Sequence, residues 1–83
     1  MTLSDDDLVR AVTAIVARAA ERPAEELAPD ADLRADLGID SLLGLQIVAM
    51  IEKEFDFEVP DDQLDQFTTI REIAAGVRAH GGA

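Results

Sequence analysis

The sequence predicts an all-α domain: a four-helix bundle with a short third helix and a long loop between helices I and II. Three observations predict it. Apolar residues recur at spacings of three and four in separate stretches, no segment alternates apolar with polar residues as a half-buried strand does, and Pro23, Pro29 and Pro60 stand where the helical patterns stop. The 83 residues make one domain, 1–83, because a second core cannot be built from so short a chain.

Helix I is placed at residues 4–20. Ser4 with Asp7 three positions on forms a capping-box pattern, and Leu8, Val12, Ile15, Val16 and Ala19 follow at helical spacing. Pro23 and Pro29, with Asp30 and Asp32 around them, break the pattern and make residues 21–40 a long connection. Leu27, Leu33 and Leu37 are expected to pin it to the core. A connection of this length without structure of its own is either functional or an element missed, and the functional reading is adopted.

Helix II is placed at residues 41–55 and is more apolar than one buried stripe requires. Ile47, Val48, Ile51 and Phe55 form a stripe assigned to the core. Leu42, Leu45 and Ala49 form a second, running toward Glu52 and Lys53. Either helix II is simply central, or the second stripe is a small docking surface with acidic surroundings. Pro60 stops the chain, residues 61–66 leave room for a short helix III, and Thr69 with Glu72 gives a second capping-box pattern opening helix IV, residues 69–79. Its apolar face is Ile70, Ile73, Ala74 and Val77. Gly81 and Gly82 end it, leaving a frayed tail in which His80 is expected to have no role.

The chain has 18 Asp and Glu against 7 Lys and Arg, a net charge of −11, and no cysteine. A disulfide framework and a thiolate metal site are thereby excluded. The acidity argues against binding a phosphate backbone, which depends on Lys and Arg, and makes basic proteins the natural partners. No run approaches the ~20 apolar residues that span a bilayer, and the N-terminus has no apolar leader core, so a soluble, cytoplasmic monomer without membrane contact is expected. The charge is uneven: residues 36–66 hold nine acids against Lys53 alone, a net of −8.

The segment Asp36-Leu37-Gly38-Ile39-Asp40-Ser41-Leu42 is where the sequence becomes chemical. Gly38 permits a tight turn, and Ser41 falls at the first position of helix II, near unpaired backbone N–H groups and the positive end of the helix dipole. An anion attached to that hydroxyl would be well placed there; the plain structural alternative is a helix cap. A catalytic serine needs a base, and the only histidine is His80; the segment is also no G-x-S-x-G elbow. Calcium is the other candidate, since Asp30, Asp32, Asp36 and Asp40 crowd one loop. An EF-hand loop begun at Asp30 puts Arg34 on a ligand position, Ala35 where glycine is required and Ser41 where a bidentate Glu belongs. No metal site is assigned, although weak binding of magnesium or calcium is expected to relieve repulsion and raise thermal stability beyond a control of matched ionic strength.

DLGIDSL, the apolar helix ending in Glu52-Lys53-Glu54-Phe55, and Val59-Pro60 together resemble the acyl carrier proteins of fatty acid and polyketide synthesis. The likeness covers nearly the whole chain. It implies a four-helix bundle with a short third helix, a non-catalytic carrier, and 4′-phosphopantetheine, transferred from coenzyme A, on the motif serine, Ser41. It also implies as partners a phosphopantetheinyl transferase (holo-synthase) and acyltransferase and ketosynthase-type enzymes with basic docking patches. Asp36, Asp40, Glu52 and Glu54 would meet their Arg and Lys, with Leu42, Leu45 and Ala49 as the apolar centre.

Many fatty acid carriers have acids where this chain has Leu43 and Gln46, and Lys53 interrupts the acidic group, so the resemblance leans toward a discrete polyketide or specialised-metabolite carrier. Peptidyl carriers usually show Gly-Gly where Ile39-Asp40 stands; a peptidyl or aminoacyl carrier and an unmodified acidic helical adaptor for basic proteins are the alternatives. Met1 and the Gly81-Gly82 tail are expected to mark a free protein rather than an excised domain.

Overall fold

A computed structural model describes residues 4–80. Three α-helices, α1 (Asp5–Ala20), α2 (Ser41–Phe55) and α3 (Ile70–Ala79), are joined by connections that contain 3-10 segments at Ala24–Glu26 and Asp61–Gln66; no strand occurs among the described residues. The expected helix IV is thus α3, and the expected helix III is not an α-helix. Six residues following a Pro60 that supplies no side-chain cap give too little hydrogen bonding to nucleate an α-helix, and the tighter 3-10 form is what short segments adopt.

Each helix start is chemically specified. Ser4 accepts a hydrogen bond from the Asp7 N–H while the Asp7 carboxylate accepts from the Ser4 N–H, the reciprocal box that the sequence predicts. At α3 only half of the predicted box forms. Thr69 Oγ1 accepts from the Glu72 N–H, but the Glu72 carboxylate accepts from the Thr68 hydroxyl instead. The helix ends are less economical: α1 and α2 close on Glu21 and Asp56, both at φ 55°, where a side chain is strained and glycine is not.

α1 packs against both α2 and α3. The core comprises Leu8, Val12, Ile15 and Val16 of α1, Ile47 and Ile51 of α2, and Ile70, Ile73, Ala74 and Val77 of α3, with no buried polar side chain among the described residues. Leu27, Leu33 and Leu37 are buried as predicted, and Ile39 joins them. Two members of the expected α2 core stripe sit differently. Phe55 is only half-buried against the core, and half-buried Val48 lines a surface cleft, because Ile47 and Ile51, one turn apart, already fill the α1-facing line.

The long connection is ordered by hydrogen bonds rather than by a helix. Its one 3-10 turn, three residues long, has no periodicity to read. The Leu33 N–H donates to the Thr68 carbonyl (2.9 Å), the Arg71 N–H to the Pro29 carbonyl (3.0 Å), and Arg71 Nε to the Asp30 carboxylate (2.7 Å), so the loop is laced to the start of α3. That hydrogen bond, reinforced by the charge of Asp30, holds Arg71 above its ordinary pKa. At the other end, His80 departs from the expected frayed tail. It caps α3, stacks on Phe57 with ring centroids 5.9 Å apart, and meets Gln63 Oε1 at 3.0 Å through Nε2. Gly81 and Gly82 lie outside the described residues.

Candidate functional site at the start of the second helix

The site is built on the turn before α2. Asp32 Oδ1 accepts from the Arg34 and Ala35 N–H groups (2.9 and 2.8 Å), and Asp36 Oδ2 accepts from the Asp32 N–H (2.8 Å). Gly38, at φ +69°, takes the chain through the left-handed region with its N–H on the Arg34 carbonyl, and the Ile39 N–H returns to the Leu33 carbonyl at 2.8 Å. Buried Leu33, Leu37 and Ile39 anchor the turn from below. Of the acids that suggested a cation loop, Asp32 and Asp36 are turn acceptors, Asp30 pairs with Arg71 and Asp40 caps α2, and no group of three His, Asp or Glu that could hold a metal ion occurs among the described residues.

Asp40, not Ser41, is the cap. Its backbone is extended and Oδ1 accepts from the Leu43 N–H at 2.8 Å, so one of the N–H groups expected to be free is already occupied. Ser41 is then the first residue of α2, exposed, its Oγ relieved of capping. Oγ accepts a hydrogen bond from Arg34 Nη2 at 2.7 Å.

Arg34 is the residue that sequence reasoning missed. Its signal was readable in principle: it is the only base between residues 23 and 52, seven positions before the serine. A guanidinium cannot take a proton, and His80 is engaged with Phe57 and Gln63, so nothing described at Ser41 would make it a self-activated nucleophile. An exposed hydroxyl at a helix start, free of a base and of capping duty, fits a serine that receives a group from another enzyme.

Beside Ser41 runs a cleft of about 510 Å³ between the turn, α2 and the Asp61–Gln66 segment, walled by Ile39, Leu45, Val48, Leu64 and Phe67. Of the expected docking residues, Leu42 and Leu45 are 77% and 55% exposed, and Ala49, Asp36, Asp40 and Glu54 are exposed as well. The second stripe of α2 is therefore a surface, not part of a helix buried all round. Glu52 is different. It is half-buried, and Oε2 accepts from the Val59 N–H at 2.7 Å, so its carboxylate also fastens the connection after α2.

The phosphopantetheine attachment site family matches residues 10–77. An acyl carrier protein of Cyanidioschyzon merolae is 31% identical over 78 residues, which cover 94% of this chain and 86% of that protein. An acyl carrier protein of Streptomyces coelicolor is 53% identical over 51 residues, 61% of this chain; the match spans only 55% of that relative's length. With an all-helical fold and an accessible serine in place, the chain belongs to the phosphopantetheine-binding acyl carrier proteins, non-catalytic carriers whose cofactor is 4′-phosphopantetheine.

Proposed function

We propose that Ser41 is the attachment residue and that the chain carries acyl intermediates for polyketide or fatty acid biosynthesis. The observation that carries the reading is the exposed Ser41 hydroxyl at the first position of α2, inside Asp36-Leu37-Gly38-Ile39-Asp40-Ser41-Leu42 and with no base of its own. In the modification, Ser41 Oγ attacks the β-phosphorus of coenzyme A, the phosphodiester bond forms, adenosine 3′,5′-bisphosphate leaves, and the hydroxyl proton passes to a base of the transferase. When bound, the group supplies the thiol that holds an acyl chain as a thioester, a thiol that this cysteine-free chain lacks.

The chain's own residues then serve delivery. Leu42, Leu45 and Ala49 present an apolar centre, and Asp36, Asp40 and Glu54 a negative rim that steers Arg and Lys of the holo-synthase, of acyltransferases and of ketosynthase-type enzymes. Leu43 and Gln46 leave this face less acidic, which favours a discrete polyketide or specialised-metabolite carrier, working as a cytoplasmic monomer.

Incubation with coenzyme A and a promiscuous phosphopantetheinyl transferase, followed by intact mass, should add one phosphopantetheinyl increment that is lost in Ser41→Ala. No increment, under conditions that modify a control carrier, would overturn the reading in favour of an unmodified acidic adaptor. Transfer rates to ketosynthases of fatty acid and polyketide type, compared side by side on the modified protein, test the pathway.

A further inference from the structure

We propose that Arg34 is the in-chain counter-charge of the phosphodiester formed at Ser41, holding the root of the arm against the turn before α2. The inference rests on Ser41 being the attachment residue. Arg34 Nη2 already lies 2.7 Å from Ser41 Oγ, and a planar guanidinium offers several donors where the neutral hydroxyl uses one. Esterification places beside that atom two non-bridging phosphate oxygens that share a unit negative charge, and a guanidinium fork matches phosphate oxygens in pairs.

Two further observations single out Arg34. The helix start cannot balance the new charge alone, because the Asp40 carboxylate already occupies the Leu43 N–H and Asp36 adds like charge on the same turn. Arg34 is also the one base in a 30-residue stretch that contains Asp30, Asp32, Asp36, Asp40 and Glu52, yet its guanidinium is directed to a neutral hydroxyl, while the described ion pairs run from Arg71 to Asp30 and from Arg78 to Asp5. Its backbone is fixed in advance. The Arg34 N–H is held by Asp32 Oδ1 and its carbonyl by the Gly38 N–H, between buried Leu33 and Leu37. The stem of the donor is thus fixed, so the ordering that remains when the charge arrives is that of the Arg34 side chain, which the bond to Ser41 Oγ already directs.

The test compares the unmodified and modified forms of wild type, Arg34→Ala and Arg34→Lys by intact mass, 31P NMR of the phosphodiester and side-chain 15N NMR. In modified wild type the 31P signal should be displaced from that of Arg34→Ala at about 20 mM salt and move toward it at about 500 mM, where the Debye length falls several-fold. Arg34→Lys should lie between the two, and the wild-type Arg34 Nε–H signal should shift on modification. Coincident 31P signals at low salt, or an Arg34 signal that modification leaves unmoved, would overturn the role of Arg34 while leaving attachment at Ser41 intact. Absence of the mass increment in wild type would overturn both. Should Arg34→Ala fail to fold by circular dichroism, the wild-type Arg34 signal decides alone.

Discussion

Two glycines in helices separate the effect of backbone propensity from that of packing. Gly44 lies in α2 and Gly76 in α3; a Cβ at Gly44 would meet nothing within 4 Å, whereas one at Gly76 would lie 2.6 and 2.8 Å from Cζ and Cε1 of Phe67. Replacing a helical glycine by alanine gains about 1 kcal/mol when nothing is touched. Gly44→Ala should therefore stabilise the domain by up to that amount, raising Tm by about 4–8 °C for a chain of this size. At Gly76 the same gain is set against overpacking, which costs about 1–3 kcal/mol. The net effect at Gly76 is neutral to about 2 kcal/mol destabilising, and the contrast between the two variants is about 1–3 kcal/mol.

Thermal or urea unfolding of both variants measures that contrast. A double-mutant cycle with Phe67→Leu assigns it: with the ring removed, Gly76→Ala should regain most of the gain seen at Gly44. Since Phe67 also walls the cleft beside Ser41, its displacement by Gly76→Ala should narrow that cleft. Equal stabilisation by the two alanines would refute the close approach of Phe67 to α3.

Other expectations are narrower. Asp40→Ala removes the α2 cap and should cost about 1 kcal/mol by urea titration, so any transfer defect it shows has to be read beside its lower stability. Leu42→Asp, at a residue 77% exposed, should leave stability within about 0.5 kcal/mol and reduce transfer to a partner ketosynthase; unfolding would show that the second stripe is not a surface. Asp56→Gly should relieve the left-handed end of α2 and raise stability by about 1 kcal/mol in the same titration. With Asp32 and Asp36 committed as turn acceptors, Asp30 paired with Arg71 and Asp40 capping α2, the divalent effect expected from the sequence should not appear: NaCl at matched ionic strength should reproduce the melting-temperature rise given by MgCl2. A larger rise in magnesium would show specific binding.

The helices and their starts were legible because periodicity and capping chemistry are local. Ser4 with Asp7 and the three- and four-residue spacings determine where a helix begins and which face it buries without reference to the rest of the chain. Residues 61–66 were legible as an element but not as its type, since hydrogen-bond pitch over so few residues depends on how the chain leaves Pro60. The site was legible in its motif and not in its electrostatics. That Asp40 caps and that Arg34 turns back onto Ser41 are consequences of a loop path set by Leu33, Leu37, Ile39 and a backbone bond to Thr68, and that Glu52 holds the Val59 N–H depends on how the chain leaves α2. No spacing rule encodes that path. The same holds for His80, whose partners Phe57 and Gln63 come from distant connections.

The lacing of the loop to the start of α3 also has a temporal meaning. Residues 29 to 33 are held by partners 35 to 42 positions later, through Leu33 to Thr68 and Arg71 to Pro29, so the turn that presents Ser41 closes on its own local bonds but is fastened to the rest of the fold only when the last helix has docked. In the native protein it should open together with α3 as one cooperative unit, and amide hydrogen exchange of Leu33 and Ile39 should follow that of Ile73 and Val77 rather than that of α2, the helix to which Ser41 belongs.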